Sequence, residues 1–149
     1  MVGPRGERAV QIFSPRKSKA HEVQSFMLKV INNNCPELKS LWEGPRLESR
    51  VNMTVVALVI PVQDGQPAVE KMFAAVTKEF TTLGLSLVLA GPRDLDQVIL
   101  GLRWEHETKF IRAQVKHLTP MGAGFYQLGL ELKEMIHVSD CPALASVSL

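Results

Sequence analysis

Arg46-Leu47-Glu48-Ser49-Arg50 leads straight into Val51-Asn52-Met53-Thr54-Val55-Val56-Ala57-Leu58-Val59-Ile60, the most β-like stretch of the chain. β-Branched side chains recur along it; they pack well on a pleated surface and lose rotamer freedom in a helix. The pattern predicts a first strand from about Val51 to Val62, apolar enough to be buried on both faces for part of its length. At its mouth stand two guanidiniums, Arg46 and Arg50. Each presents a planar fork of donors that matches a phosphate, or the O6 and N7 edge of guanine, through two parallel hydrogen bonds. The same spacing also fits a solvated loop in which the arginines pair with Glu43 or Glu48.

Outward from this strand toward the C-terminus, short apolar runs alternate with turn signals. Gln63-Asp64-Gly65-Gln66-Pro67 carries an Asp-Gly turn. Met72 to Phe80 reads as a second strand, although Ala74-Ala75 makes a helix over Val69 to Phe80 its competitor. A tight turn around Thr82-Leu83-Gly84 leads to a third strand, Leu85 to Leu89, which stops at Gly91-Pro92. The fourth runs from Gln97 to Trp104 and turns through Glu105-His106-Glu107. The fifth, Lys109 to Leu118, alternates Phe110, Arg112, Gln114 and Lys116 against Ile111, Ala113 and Val115. Met121-Gly122-Ala123-Gly124 is a hairpin loop, and Phe125 to Leu132 forms the sixth strand. Six short strands with tight connections predict a mainly β protein, a six-stranded antiparallel β-barrel whose closure removes exposed edges.

Toward the N-terminus, Ser14-Pro15 supplies an N-cap and a first-turn proline. Ala20, Val23, Phe26, Met27, Val30 and Ile31 then share one helical stripe, which predicts an amphipathic helix packed on the sheet. Asn32-Asn33-Asn34 and Pro36 end it, and a second short turn is expected at Glu37 to Trp42. The chain thus divides into an N-terminal arm and helical segment at 1–45, a barrel at 46–136 and a loosely held tail at 137–149.

A chain of 149 residues is long enough for one core without staples. Its net charge of +2 argues against a nucleic-acid coat, although residues 1–50 hold nine Lys and Arg against five Glu. Cys35 and Cys141 form no C-x-x-C pair and read as reduced thiols of a cytoplasmic protein. No apolar run is long enough to predict membrane insertion.

Little in the sequence predicts an enzyme. His21, His106, His117 and His137 fall on a helix face, a turn, a strand end and a tail, without the spacing of a metal or nucleophile site. Glu105-His106-Glu107 fits a polar turn better than a metal corner, and no Walker-type or dinucleotide-binding glycine loop is present.

From Arg46 to about Met135 the order of features resembles the PilZ domain, a small bacterial β-barrel that senses cyclic di-GMP. That family carries an R-x-x-x-R loop before its first strand and a (D/N)-x-S-x-x-G motif at a later turn. Arg46 and Arg50 match the first, and Glu79-Phe80-Thr81-Thr82-Leu83-Gly84 matches the second as E-x-T-x-x-G. The pair Arg112-Ala113-Gln114-Val115 and Gly124 to Leu132 is similar to the family's closing strands. The resemblance implies a regulatory, non-catalytic domain without a cofactor whose ligand, cyclic di-GMP, is gripped by Arg46 and Arg50. It further implies that Glu79 and Thr81 reach a guanine from across the barrel and that Gly84 permits the turn bringing them there. Thr81 keeps the hydroxyl of the usual serine, whereas Glu79 places its carboxylate one methylene further out than aspartate would. The expected mechanism is closure of the arginine loop on the nucleotide, which moves the N-terminal segment and changes a surface read by a protein effector. The alternative is a degenerate barrel of the same type, kept as an interaction or scaffold module without nucleotide binding.

Overall fold

The computed structural model describes residues 15–34 and 50–147, with the side chains of 19–32 and 50–147. The N-terminal arm, Cys35, the expected turn at Glu37 to Trp42 and Arg46 lie outside the described residues. Helix α1 (Pro15–Asn34) is followed by β1 (Val51–Asn52), β2 (Val56–Gln63), β3 (Gln66–Pro67), β4 (Phe73–Phe80), β5 (Gly84–Leu89), β6 (Gln97–Trp104), β7 (Glu107–Gly122) and β8 (Phe125–Ile136). Antiparallel pairing runs β1-β4-β5-β8-β7-β6-β2-β3, and β2 pairs with β4 as well. This last pairing closes six strands into a barrel, with the short β1 and β3 at its margins. The chain is therefore the expected six-stranded antiparallel barrel with a helix near its N-terminus.

Period-2 alternation sorts the side chains. Ala57 and Val59, Leu85 and Leu87, Val98 and Leu100, Ile111 and Ala113, and Leu128 and Leu130 point inward to one core. The predicted stripe of α1 joins it, with Val23, Met27 and Ile31 fully buried and the Phe26 ring packed edge-on against Trp104 at 6.3 Å. A fully buried side chain of this size contributes about 1.5–3 kcal/mol, so the helix is held chiefly by apolar burial. Leu58 and Ile60 of β2, Ile99 of β6 and Phe110 of β7 point outward and form a second apolar cluster. Leu144 and Val147 cover it. The tail is thus not loosely held: Val138–Asp140 and Pro142–Leu144 are 3₁₀ turns, and Leu144 is 0% exposed. A run of Ser, Ala, Val and Pro conceals this role, because two well-placed apolar residues suffice to cap an outer face.

The expected first strand is broken. Val51 and Asn52 pair with Phe80 and Glu79, pairing resumes at Val56 with Val76, and residues 53–55 lie between. The Thr77 side chain, 1% exposed, bridges the gap: its hydroxyl donates to the Met53 carbonyl at 2.7 Å and accepts the Val55 N–H at 2.9 Å. The helical alternative for Val69 to Phe80 yields to a short 3₁₀ turn, Val69–Lys71, followed by a strand. Pairing with both β2 and β5 decides the matter, since a central strand satisfies its backbone groups on both sides. Hairpins form at both expected turns, each tightened to two residues because the strands extend into the expected loops: Asp64-Gly65, where φ is 53° and 76°, and Ala123-Gly124, where φ is 56° and 85°. Glu105-His106 is the turn between β6 and β7. Among the described residues no helix is long and apolar enough to cross a membrane.

Polar contacts fasten α1 to the barrel as well. Glu134 on β8 accepts from Arg112 of β7 at 2.7 Å and pairs with Lys19 of α1 at 3.1 Å, and Glu22 meets His137 at 3.2 Å. Burial disfavours the charged form of Glu134, but hydrogen bonds from Arg112 and Lys19 outweigh it and hold the carboxyl below its ordinary range.

Two outcomes follow for stability. Thr77→Val keeps the volume and removes the hydroxyl, stranding a buried N–H and a carbonyl; urea unfolding is expected to report a loss of roughly 1–3 kcal/mol. Because the Glu134 pKa is lowered on folding, its contribution is present above the unfolded carboxylate value and is lost as pH falls through the folded one. Glu134→Gln is therefore expected to destabilise at neutral pH and to flatten the acid limb of a melting-temperature profile; an unchanged limb counts against this role.

Candidate functional site

The strand registers build a transverse row across the outside of the barrel. Asn52 pairs with Glu79, Glu79 with Ser86, Ser86 with Gly129, and Gly129 with His117. The inner neighbours of this row, Leu85 and Leu130, are buried in the core. The two middle members, Ser86 and Gly129, are small, while carboxylate and imidazole rise at the flanks. The result is a concave cavity of about 160 Å³ lined by Arg50, Glu79, Thr81, Gly84, Leu85, Ser86, Lys116, His117, Gln127, Gly129 and Leu130.

Each wall has a local cause. Arg50 directly precedes β1, and the pairing of Asn52 with Glu79 carries its guanidinium to the Glu79 carboxylate, with Nη1 3.3 Å from Oε1. This partner comes from a strand 29 positions away, while Glu43 and Glu48 lie outside the described residues. The Arg50 side chain is 72% exposed and that of Glu79 25% exposed. Such a pair is worth about 0–1 kcal/mol and exchanges easily for another partner. A bulge between Thr77 and Glu79 shifts the β4–β5 register, and the Glu79 N–H donates to the Ser86 hydroxyl at 3.2 Å. The Ser86 side chain thereby supports the backbone that carries the carboxylate.

The turn after β4 holds the other two motif residues. The Thr81 N–H donates to the Gly84 carbonyl at 2.8 Å, and the Thr81 hydroxyl donates to that same carbonyl and accepts the Leu83 N–H, both at 3.3 Å. In this structure the Thr81 hydroxyl is engaged in its own turn, while its residue lines the cavity. Gly84 does not occupy the left-handed region, so conformational freedom is not what the turn demands of it. Close approach is: a Cβ there would lie 3.1 Å from the Leu130 carbonyl oxygen and 3.3 Å from Thr81 Oγ1.

On the far wall, a second bulge between Val115 and His117 puts one extra residue, Lys116, into β7. Strict alternation would send one of two adjacent side chains inward, yet Lys116 and His117 both line the cavity. His117 is mid-strand and not at a strand end, since β7 continues to Gly122. Its ring occupies the space that a Cβ on Gly129 would need. Lys116 and Lys133 pair with Glu131 at 3.3 and 3.1 Å, and the hydrogen bonds from Lys133 and then Lys116 hold the Glu131 carboxyl below its ordinary range.

Four of the five residues singled out in the sequence, Arg50, Glu79, Thr81 and Gly84, therefore meet in one cavity, and Arg46 lies outside the described residues. Ser86, Lys116, His117, Gln127 and Gly129 were not anticipated. Two signals for them existed: Lys116-His117 breaks the alternation of its strand, and a glycine inside a strand marks a bulge or a close approach. The assembled surface offers guanidinium, ammonium, hydroxyl and amide donors beside one carboxylate acceptor, which suits an anionic ligand with a donor-bearing polar edge. Among the described residues no cluster of His, Cys, Asp and Glu has metal-binding geometry. A groove of about 410 Å³ beneath the C-terminal turns is larger, but its Arg112 and Glu134 already satisfy each other.

No protein-family model matches the chain, and no curated protein matches it. Among solved structures it is similar to the inhibitor of motility of Bacillus subtilis (MotI/DgrA), with a TM-score of 0.47 and 17% sequence identity. The match covers 65% of this chain and 46% of that one, so it spans about half the length of the Bacillus subtilis protein.

Gly84→Ala tests the close approach. Overpacking against a strand carbonyl outweighs the roughly 0.4–1 kcal/mol gained by restricting the unfolded chain, and a net loss on the order of 1 kcal/mol is expected in chemical denaturation. Stabilisation by this variant would refute the packing argument.

Proposed function

We propose that this chain is a PilZ-type regulatory domain that binds cyclic di-GMP in the cavity between Arg50 and His117 and passes the event to a protein effector. The observation that carries the reading is the convergence of Arg50 with Glu79, Thr81 and Gly84, which come from two separate stretches of sequence, on a single concave surface. A loop residue and a turn 29 positions further along the chain have no local reason to share a cavity; Arg50 and the turn at 79–84 do share one.

The chemistry fits the ligand. The Arg50 fork matches a phosphate or the guanine O6 and N7 edge, and the Glu79 carboxylate can accept the N1–H and N2–H donors of guanine. In the structure these two groups pair with each other at 3.3 Å. Because both are partly exposed, separating them costs about 1 kcal/mol or less, whereas hydrogen bonds between charged groups and a ligand are worth about 1.5–3 kcal/mol each. Exchange of partners therefore favours the ligand. The cavity, about 160 Å³, is smaller than the ~300–1,000 Å³ typical for a drug-sized ligand, so it accommodates one base while the rest of the dinucleotide lies over Arg50. Arg46, four residues earlier, is the second fork in this reading.

Signalling follows from the same exchange. Arg50 leaves Glu79 for the ligand, the chain preceding β1 moves with it, and α1 is the element that precedes β1 among the described residues. The ligand favours the closed state only through contacts made there, chiefly those of the arginines. The domain acts in the cytoplasm in this reading, on a protein partner and not on nucleic acid.

Calorimetric titration with cyclic di-GMP, run beside GTP and beside Arg50→Ala, is the test. Saturable binding of the cyclic dinucleotide that the variant loses is the expected result. Heats equal to dilution for the wild-type protein would instead favour a scaffold in which Arg50 and Glu79 stay paired.

A further inference from the structure

The row Glu79, Ser86, Gly129, His117 spans four adjacent strands, and neighbouring strands lie about 4.8 Å apart, so carboxylate and imidazole backbones stand roughly 14 Å from each other. The floor between them is a buried serine and a glycine. A bulge in β7 turns His117 out of the alternation that would have sent it inward, and Gly129 leaves room for its ring to lean over the floor. The residue is otherwise exposed. An imidazole held by a glycine on one side and open on the other is a platform for a flat heterocycle. The same bulge brings Lys116 to the rim beside it, where it shares the single carboxylate of Glu131 with Lys133 and the three groups keep a net positive charge.

We propose that His117 is a ligand-binding residue on which a purine base stacks, that Gly129 is the positioning residue that seats its ring, and that Lys116 supplies a countercharge to the phosphate attached to that base. This rests on the reading of the cavity as a nucleotide site, and it assigns the wall opposite the arginine. The base then lies with one face on the imidazole and its donor edge toward Glu79 and Arg50. Stacking and edge recognition come from different strands, so either can be removed without the other.

The experiment is titration of the full chain with cyclic di-GMP for the wild type, Arg50→Ala, His117→Ala, His117→Phe and Gly129→Ala, with melting temperatures as a check on folding. Loss of one base stack corresponds to roughly 5- to 100-fold weaker binding, the effect expected for His117→Ala, while His117→Phe restores the affinity. Gly129→Ala displaces the ring and is expected to behave like His117→Ala. In proton spectra of the wild type, the His117 ring resonances move upfield on saturation, as they do when a purine covers an imidazole. Unchanged affinity in His117→Ala, or a phenylalanine variant as weak as the alanine one, overturns the stacking role while leaving the nucleotide site standing. Absence of binding by the wild type overturns both.

Discussion

Closure of the barrel depends on β4 being shared by two segments that approach it at different places, and a buried hydroxyl completes the hydrogen bonding at their junction. Val56 to Val59 pair with one half of β4 and Val51 and Asn52 with the other. Between them only the Met53 N–H, which donates to the Lys78 carbonyl, and the Val55 carbonyl, which accepts from the Thr77 N–H, make backbone bonds to β4. Backbone groups withdrawn from water in that gap need partners. The Thr77 hydroxyl supplies the remaining two from inside the barrel, accepting the Val55 N–H and donating to the Met53 carbonyl. A continuous strand would not need this bridge, and it would not set β1 against the end of β4. Since Arg50 adjoins β1, the bridge indirectly decides which carboxylate the arginine meets.

The site is thus a product of register. Glu79, Ser86, Gly129 and His117 align because each successive strand is paired at one particular offset, and bulges in β4 and β7 adjust that offset at the two flanks. Slipping any pairing by one residue would turn these side chains to the core and bring leucines to the surface. The apolar alternation that secures the core consequently secures the cavity as well. Burial of Leu85, Leu87, Leu128 and Leu130 holds the floor in place.

The polar energetics divide by exposure. Glu134 is enclosed by Arg112 and Lys19, and its lowered pKa reflects a contact that helps to hold α1. Arg50 and Glu79 form a looser and more exposed pair. A weak pair is suited to exchange and a well-enclosed one to support; the enclosed Glu134 cluster lies outside this cavity and the easily opened Arg50–Glu79 pair lies inside it.

Much of this was legible in the residues. Alternation and turn chemistry determined six strands, two hairpins and the apolar stripe of α1, because these depend on nearest neighbours along the chain and on which face avoids water. The arginine motif and the E-x-T-x-x-G turn marked Arg50, Glu79, Thr81 and Gly84, although the reason for Gly84 proved to be its approach to Leu130 and not its backbone freedom. Tertiary structure alone decided the break at Met53 to Val55, the capping of the outer face by Leu144 and the opposite wall at Lys116 and His117. Each of these turns on pairing between distant strands or on a bulge, and a one-residue offset leaves almost no trace in composition while it reverses the direction of every side chain beyond it.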